Sequence, residues 1–342
     1  MKAAYLKAHH EFELRDVTLP ELPDDEVLVK VNACGFCGHD KILADYKAEN
    51  WEPFGHEFAG VIEKTGSKVK NLQIGDRVVV MTSMFVTDPL SDFVLDGRPD
   101  LAYESLVDYV NRPHVEMGFS ERTLVPACLC YKFDGIPDEE ACFAEPMGVA
   151  ADLVKTADVK LGNDVVLMGC GAIGLMALQM AKASGARKIW AVELSGSKKK
   201  AELALEYGAD EVIFSDEVDL QKYPWPKGGV DRVLVTTPPK TIDLATRICR
   251  PGGIVAFLGI GYGERGMVTF DSNVVHLNKL QIRGSNAMPA LYFPFVFDMM
   301  HAGFVKVDKM ITNTFSLDEA PKALKEFLDD QANTCKAVMI NK

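Results

Sequence analysis

The hydrophobic and polar positions divide the chain into parts with different periodicity. In the first part, short stretches such as Glu26–Val31 and Phe58–Lys64 alternate like half-buried strands, and prolines interrupt the chain between them. From Gly148 to about Asn286, continuous apolar runs alternate with helix-forming segments, which is typical of a parallel sheet covered on both faces. The pattern therefore predicts a mainly β domain, read as a partly open barrel, followed by a doubly wound α/β domain.

The second part is predicted to contain six strands with helices between them. The strands are Val165–Met168, Lys188–Val192, Glu211–Phe214, Asp231–Val235, Ile254–Leu258 and Leu280–Arg283, and the helices lie near residues 172–184, 197–207 and 240–249. After residue 286 the pattern changes again. A loop enters a helix at Phe315–Leu324, and Ala337–Ile340 is predicted as a last strand.

The first of these strands runs directly into a glycine-rich turn, Gly-x-Gly-x-x-Gly, that precedes a helix. Gly169 makes the turn, Gly171 lets the backbone approach a pyrophosphate, and Gly174 lets the helix pack against the strand. The open N–H groups at the helix start, including those of Ala172 and Ile173, and the positive end of the helix dipole would hold the phosphates. This context predicts a dinucleotide site.

The second strand ends at an acidic residue that supports the same interpretation. Glu193 lies 19 residues after Gly174, where dinucleotide-binding folds place the carboxylate that bonds the ribose hydroxyls. Its charge repels a 2′-phosphate and favours NAD over NADP, although Lys198 follows a few residues on and a lysine there can sometimes contact a phosphate. The alternative is an ordinary strand–turn–helix with a solvated glutamate, which requires three independent features to agree by accident.

Length, composition and charge exclude several classes of protein. The chain has 342 residues, which suits two domains, and its composition of 48% hydrophobic and 25% charged residues is that of a soluble globular protein. A net charge of −12 disfavours a nucleic-acid partner. No apolar run approaches the ~20 residues of a membrane span, and Met1–Lys7 lacks a signal core. We therefore expect a cytoplasmic protein with reduced thiols and no membrane association.

Three groups of residues in the first part carry possible metal chemistry. They are a Cys34–Cys37 pair, a Gly-His-Glu motif with His56 and Glu57, and Glu145 before a proline. Cysteine, histidine and carboxylate are the ligands of a catalytic zinc with an open position. Each group alone has another interpretation, because a Cys-x-x-Cys can be redox-active or simply buried, and a His-Glu pair is commonly a surface ion pair.

The order of these motifs resembles the zinc-dependent medium-chain dehydrogenases/reductases, and most of all the branch of sorbitol, threonine and related polyol dehydrogenases. The motifs are Cys-Gly-x-Cys-Gly-x-Asp, Gly-His-Glu-x-x-Gly, Gly-Asp-Arg-Val, Glu-Pro and Gly-x-Gly-x-x-Gly, and they span nearly the whole chain. The resemblance implies a discontinuous GroES-like catalytic domain, residues 1–147 and 287–342, and an NAD-binding Rossmann domain, residues 148–286. The active site would lie in the cleft between them.

The same resemblance implies roles for individual residues. Cys37 and His56 correspond to zinc ligands, and Asp40 to the acid that hydrogen-bonds the ligand histidine. Glu57 and Glu145 are the two candidate carboxylates. Branches of the family differ over which one binds the metal and which reaches it through water, so both remain open.

Further positions correspond to the coenzyme cleft and to a subunit interface. Thr236 and Thr237 end the fourth predicted strand, and Gly259 follows the fifth, where relatives line the coenzyme cleft. Met267–Phe270 is predicted as an edge strand that pairs between subunits, so a homodimer or homotetramer is expected.

Two departures from the family pattern stand out. Where relatives carry a serine or threonine two residues after the ligand cysteine, this chain has His39, and we hypothesise that it accepts the proton of the alcohol. Alternatively, His39 is a spacer or a hydrogen-bond donor to substrate. The stretch from Thr82 to Arg122 also lacks the cysteines of a structural zinc, so a single catalytic zinc is predicted.

That cysteine-free lobe is acidic instead. Its acids include Asp88, Asp92, Asp96, Asp100, Glu104 and Asp108. For Pro99–Val110 a solvated acidic face is the favoured interpretation, and a short amphipathic helix is the alternative. His114 and Glu116 are candidates to face the substrate.

Together these features predict reversible oxidation of a secondary alcohol to a ketone, with a polyol, cyclitol, sugar or sugar acid as the small hydroxylated substrate. Three alternatives remain open. One is a zinc-free reductase of the same fold that acts on a conjugated carbonyl. Another is an epimerase or eliminating enzyme that retains NAD. The third is a non-catalytic protein that kept the fold.

Overall fold

The structure is a computed structural model that describes residues 1–81, 84–85, 92–101, 104–105 and 118–341. Its first part is built mainly from strands, as the alternating pattern predicted. These strands are β1 (Lys2–Lys7), β2 (Glu11–Asp16), β3 (Glu26–Gly35), β4 (Glu52–Pro53), β5 (Glu57–Thr65), β6 (Arg77–Val80), β7 (Met84–Phe85), β8 (Glu104–Ser105), β9 (Arg122–Pro126) and β10 (Cys130–Lys132). The helices of this part are α1 (Gly38–Ile42), a π-helix (Leu43–Lys47), α2 (Asp92–Leu95) and α3 (Asp138–Ala141).

Two strands from the end of the chain complete the main sheet of the first part. Strands β17 (Ile311–Phe315) and β18 (Lys336–Ile340) join the order β10-β6-β5-β3-β18-β17, with β9 also paired to β3. A second sheet has the order β2-β1-β4. Aromatic side chains fill the core beside these sheets, where the rings of Phe54 and Phe119 stack with centroids 4.5 Å apart. The chain therefore returns to its first domain after the second is complete.

The second part is a six-stranded parallel sheet with helices around it. Its strands are β11 (Asp164–Met168), β12 (Lys188–Glu193), β13 (Glu211–Phe214), β14 (Val230–Val235), β15 (Cys249–Phe257) and β16 (Gln281–Gly284). The order β13-β12-β11-β14-β15-β16 is that of a doubly wound dinucleotide-binding sheet. The helices are α5 (Ala172–Ala183), α6 (Lys198–Glu206), α7 (Ile242–Ile248) and α8 (Ser272–Leu277). The predicted α/β fold class is confirmed.

Three further helices lie beside the two sheets. Helix α4 (Ala144–Thr156) packs against α5 and against α9 (Phe293–His301), whereas α10 (Ala320–Asp329) contacts β2. Because α4 spans the proposed boundary at residues 147/148, the two parts share an uninterrupted helix there. The division at 147/148 and 286/287 stays a prediction. Short 3-10 helices are Pro99–Leu101, Ala127–Leu129, Pro226–Gly228, Pro239–Thr241, Gly263–Gly266, Pro289–Tyr292, Asp308–Met310 and Leu317–Glu319.

The alternative interpretation of Pro99–Val110, an amphipathic helix, is wrong in its described part. Residues Pro99–Leu101 form a 3-10 turn, and Glu104–Ser105 form strand β8, which pairs antiparallel with β7. Backbone pairing with a distant segment overrides the local helical pattern there. Asp88, Asp108, His114 and Glu116 lie outside the described residues.

The segment Met267–Phe270, predicted as an edge strand, forms no strand within the described chain. Pairing of this segment between copies stays a prediction. Among the described residues, no helix is long and apolar enough to cross a membrane.

Candidate active site

Three potential metal ligands meet where strands β3 and β5 pair. Gly35 at the end of β3 lies opposite Glu57 at the start of β5, so Cys37 follows one strand end and His56 precedes the other. One ligand atom from each of Cys37, His56 and Glu57 lies within 4.8 Å of the others. A thiolate, an imidazole and a carboxylate are the donor set of a catalytic zinc that keeps an open position. The residues present therefore fit this metal.

Cys37 is held at the start of a short helical turn. It is the N-cap residue of α1, and its Sγ accepts the backbone N–H of His39 at 3.4 Å. The Asp40 carboxylate in turn accepts the backbone N–H of Cys37 at 3.1 Å. This reciprocal capping box fixes the direction of the thiol.

The Asp40 carboxylate also lies beside the candidate ligand His56. Asp40 Oδ1 is 3.5 Å from His56 Nδ1, and Asp40 is only 2% exposed. Burial alone would lower the pKa of His56, but the charges of Cys37 and Asp40 outweigh it and the pKa is raised well above its ordinary value. Since Nδ1 faces Asp40, Nε2 is the nitrogen available to a metal.

Glu57 lies against a buried lysine that the sequence reasoning missed. Lys336, the first residue of β18, forms an ion pair with Glu57, and both side chains are almost completely buried. Burial would lower the pKa of Lys336, but Glu57 and Cys37 raise it overall. A Cβ on Gly35 would lie 2.6 Å from Glu57 Oε2, so only glycine leaves room for this pair. The signal in the sequence was a lysine at the start of an apolar strand.

Glu145 lies in the first turn of α4, outside the close group of three ligand atoms found among the described residues. It is still near enough for the charges of that group to act on it. Burial raises the pKa of Glu145 to about 7; His56 opposes this shift and Glu57 adds to it. The structure therefore brings Glu57 closest to Cys37 and His56, with Glu145 as a further buried carboxyl.

His39 lies next to this group on α1. Its ring centroid is 6.3 Å from that of His56, and its Nε2 lies 3.0 Å from Tyr262 Oη. Burial lowers the pKa of His39, His56 acts in the same direction, and Asp40 opposes them. The imidazole is therefore neutral near neutral pH, with one nitrogen able to accept a proton. Tyr262 was not singled out from the sequence, because its glycine-rich loop has no periodic pattern.

The glycine turn between β11 and α5 has the shape of a phosphate cradle. Gly169 has φ of +98°, and a Cβ on Gly174 would lie 2.1 Å from the carbonyl oxygen of Gly169. Gly171 is the N-cap residue of α5, and a Cβ there would meet no atom within 4 Å. The first and third glycines are therefore required by the fold, whereas Gly171 leaves open space in front of the helix start. Such a cradle fits a pyrophosphate.

The other predicted coenzyme residues surround this turn. Glu193 accepts backbone N–H groups of Cys170 and Leu194, each at 2.9 Å. Thr236 donates its hydroxyl to the carbonyl of Gly169 at 3.0 Å, which braces the turn. The hydroxyl of Thr237 lies 2.7 Å from that of Thr241. A Cβ added to Gly259 would lie 2.4 Å from the carbonyl oxygen of Thr237. Lys198 is the first residue of α6.

Comparison with known proteins agrees with this architecture. The family model of an alcohol dehydrogenase GroES-like domain matches residues 23–138, and that of a zinc-binding dehydrogenase matches residues 172–301. The chain belongs to the zinc-dependent medium-chain dehydrogenase/reductase family. The predicted family, its GroES-like and Rossmann domain types and its oxidoreductase activity on alcohol groups are thereby confirmed.

Individual relatives of this medium-chain dehydrogenase are similar over nearly their whole length. A probable D-xylulose reductase A of Aspergillus fumigatus is 29% identical, covering 94% of this chain and 92% of its own. A sorbitol dehydrogenase of Bacillus subtilis is 28% identical, covering 99% and 97%. A protein described as a short chain alcohol dehydrogenase of E. coli CFT073, solved with NADH, is 25% identical, with a TM-score of 0.87 and coverage of 100% and 99%.

Proposed function

We propose that this dehydrogenase catalyses the reversible oxidation of a secondary alcohol to a ketone, with one zinc ion and NAD per chain. The observation that carries the proposal is the close group of Cys37, His56 and Glu57 in a chain that also forms a glycine cradle beside Glu193. The first is a donor set for zinc, and the second is a site for a dinucleotide. Together they supply the metal and the hydride acceptor of a zinc-assisted alcohol oxidation.

Cys37 and His56 would hold the zinc together with one carboxylate. Asp40 orients His56 by facing its Nδ1. The proximity of Glu57 to both ligands favours it as the direct carboxylate, and the buried Glu145 then suits contact through water. When bound, the metal supplies Lewis-acid polarisation of the alcohol oxygen.

His39 would accept the proton released by the alcohol. Its burial favours the neutral imidazole, which is the form that can take up a proton. Its position on α1, two residues after Cys37, corresponds to the hydroxyl residue of relatives. Histidine therefore replaces a neutral relay group with one that can hold the charge itself.

NAD is the coenzyme that the site favours over NADP. Glu193 is fixed by two backbone N–H groups at the end of β12, where it can bond ribose hydroxyls and repel a 2′-phosphate. The phosphates would lie on the amides of the turn, which comprises Gly169, Gly171, Ala172, Ile173 and Gly174. Thr236, Thr237 and Gly259 would line the coenzyme cleft, and Lys198 would lie at its edge.

The substrate would be a polyol, cyclitol, sugar or sugar acid. The names of the relatives, sorbitol dehydrogenase and D-xylulose reductase, support this class. A homodimer or homotetramer is proposed because β16 is an edge strand of its sheet and Met267, which precedes it across helix α8, is 76% exposed. Cytoplasmic location and the absence of a structural zinc stay predictions.

A panel of polyols, sugars and sugar acids tests the proposal. Purified protein is incubated with each compound and with NAD or NADP, and reduced coenzyme and ketone are both quantified. The expected result is release of NADH and ketone in equal amounts, faster with NAD. An isomerised product without net NADH would instead favour the epimerase alternative, and a coenzyme-dependent reduction of a conjugated carbonyl would favour the zinc-free reductase.

A further inference from the structure

Tyr262 connects the Rossmann part of the chain, through a hydrogen bond, to His39 beside the candidate metal ligands. It lies in the loop between β15 and α8, which belongs to the Rossmann part of the chain. Its hydroxyl nevertheless lies 3.0 Å from Nε2 of His39, on α1 of the catalytic part. The site is therefore built from both parts of the chain, and this bond crosses between them.

The loop is held in this place by three further contacts with the π-helix Leu43–Lys47. The backbone N–H of Tyr262 donates to Tyr46 Oη at 3.3 Å. The Arg265 guanidinium lies 4.1 Å from the centroid of the Tyr46 ring, and Lys47 Nζ lies 5.2 Å from that of Tyr262. Because both the backbone and the ring of Tyr262 are anchored, its hydroxyl is presented to His39 in a defined direction.

An imidazole on a short helix needs such a partner to keep one orientation. Rotation about the last side-chain bond of histidine has broad, nearly two-fold minima, so the ring flips easily and each flip puts a carbon where a nitrogen was. Within the described residues, the His39 ring has no hydrogen-bond partner besides Tyr262. A hydrogen bond at Nε2 therefore fixes the ring and leaves Nδ1 as the nitrogen that can contact a bound substrate.

We propose that Tyr262 is a positioning residue that fixes the His39 ring so that Nδ1 serves the substrate hydroxyl. The inference rests on the proposed function, because it deepens the role given there to His39. Tyr262 acts through His39 and not on the metal group itself. Removal of the Tyr262 hydroxyl should therefore lower kcat without weakening coenzyme binding. This loss of kcat should occur only in a protein that retains His39.

A double-mutant cycle tests this coupling. Tyr262→Phe keeps the ring and removes the hydroxyl, and we expect kcat to fall roughly threefold to tenfold with KM for NAD within about twofold of wild type. In a His39→Ala background, Tyr262→Phe should cause no further loss. The matched control is Tyr223→Phe, which removes a hydroxyl bonded to Glu211 on the coenzyme-binding sheet and should leave kcat unchanged.

A second readout does not depend on activity. The side-chain nitrogen resonances of the seven histidines are recorded in purified protein with labelled histidine, and His39 is assigned by its absence in His39→Ala. Tyr262→Phe should shift the His39 nitrogens, and Tyr223→Phe should not. Unchanged His39 resonances, or equal losses of kcat with and without His39, would overturn the inference. If wild type oxidises no alcohol, the proposed function fails, whereas the resonances still decide whether Tyr262 holds His39.

Discussion

Lys336 and Glu57 form an ion pair directly beside the candidate metal ligands, with side chains 5% and 1% exposed. A carboxylate this deeply buried is costly unless a positive charge compensates it. In the absence of a metal, Lys336 is that charge. The Glu57 charge also acts on Cys37 nearby: burial and Glu57 raise the pKa of the Cys37 thiol, and His56 opposes them.

Replacing Lys336 should therefore destabilise the metal-free protein. We expect Lys336→Met to lower the free energy of unfolding by about 3–5 kcal/mol, because it leaves a buried carboxylate without its partner. The matched control is Lys132→Met, which breaks the more exposed pair with Asp76 and should cost at most about 1 kcal/mol. Urea unfolding of chelator-treated protein measures both. Equal losses in the two variants would contradict a special role for the buried pair.

The raised pKa of Glu145 predicts a pH dependence of stability. The carboxyl titrates near 4.5 when unfolded but at about 7 when folded, so between these pH values the folded state binds more protons. Stability should therefore fall as the pH rises from about 4.5 to about 7, by up to about 3 kcal/mol for this group. Glu145→Gln should flatten this decline in metal-free protein. If the free energy of unfolding of Glu145→Gln and of wild type fell equally between these two pH values, Glu145 would not be the cause of the decline.

The glycine turn gives a matched pair of substitutions. Gly174→Ala places a Cβ 2.1 Å from a backbone oxygen and should impair folding, whereas Gly171→Ala meets no protein atom within 4 Å. Gly171→Ala should thus have the melting temperature of wild type. Its affinity for NAD should nevertheless be about tenfold lower or weaker still, because the added methyl group lies in the phosphate cradle. Thermal unfolding and NADH fluorescence titration separate the two effects. Undiminished NADH affinity in Gly171→Ala would place the coenzyme elsewhere.

His39 is predicted to matter for proton transfer and not for the metal. We expect His39→Ala to lower kcat about 100-fold or more, the usual contribution of general acid–base catalysis, while zinc content stays the same. The acidic limb of the pH–rate profile should change, since the group that must be neutral has been removed. A variant with an unchanged pH–rate profile would rule out the relay role and leave His39 as a spacer.

The sequence predicted the coenzyme-binding sheet closely because its strands are continuous apolar runs. The predicted Val165–Met168 is Asp164–Met168 in the structure, whereas Ile254–Leu258 proved to be the longer Cys249–Phe257. Proline and glycine, which are typical of turns, occupy residues 251–253, yet Cys249 pairs with Val230 of the neighbouring strand. Tertiary pairing, which no local pattern records, extended the strand.

The residues of the candidate site likewise fall into those that the sequence indicated and those that only the tertiary structure brings there. The order of the motifs and its resemblance to the family pointed to Cys37, His56, Glu57 and Glu145, and the structure brings the first three close together. Their role as metal ligands stays a prediction. Lys336 and Tyr262 could not be found by spacing, since they reach the site from segments far along the chain. Only the return of β18 to the first sheet and the path of the loop after β15 bring them there.

The central claim is that alcohol oxidation by this chain depends on a zinc ion held by Cys37 and His56. It is tested most directly by measuring zinc content and NADH formation on the same sample, before and after chelation and after zinc is restored. We expect one zinc per chain, loss of activity in proportion to loss of zinc, and recovery of activity when zinc is added back. Cys37→Ser should retain little zinc and little activity. A zinc-free sample that oxidises the alcohol at an undiminished rate would contradict it.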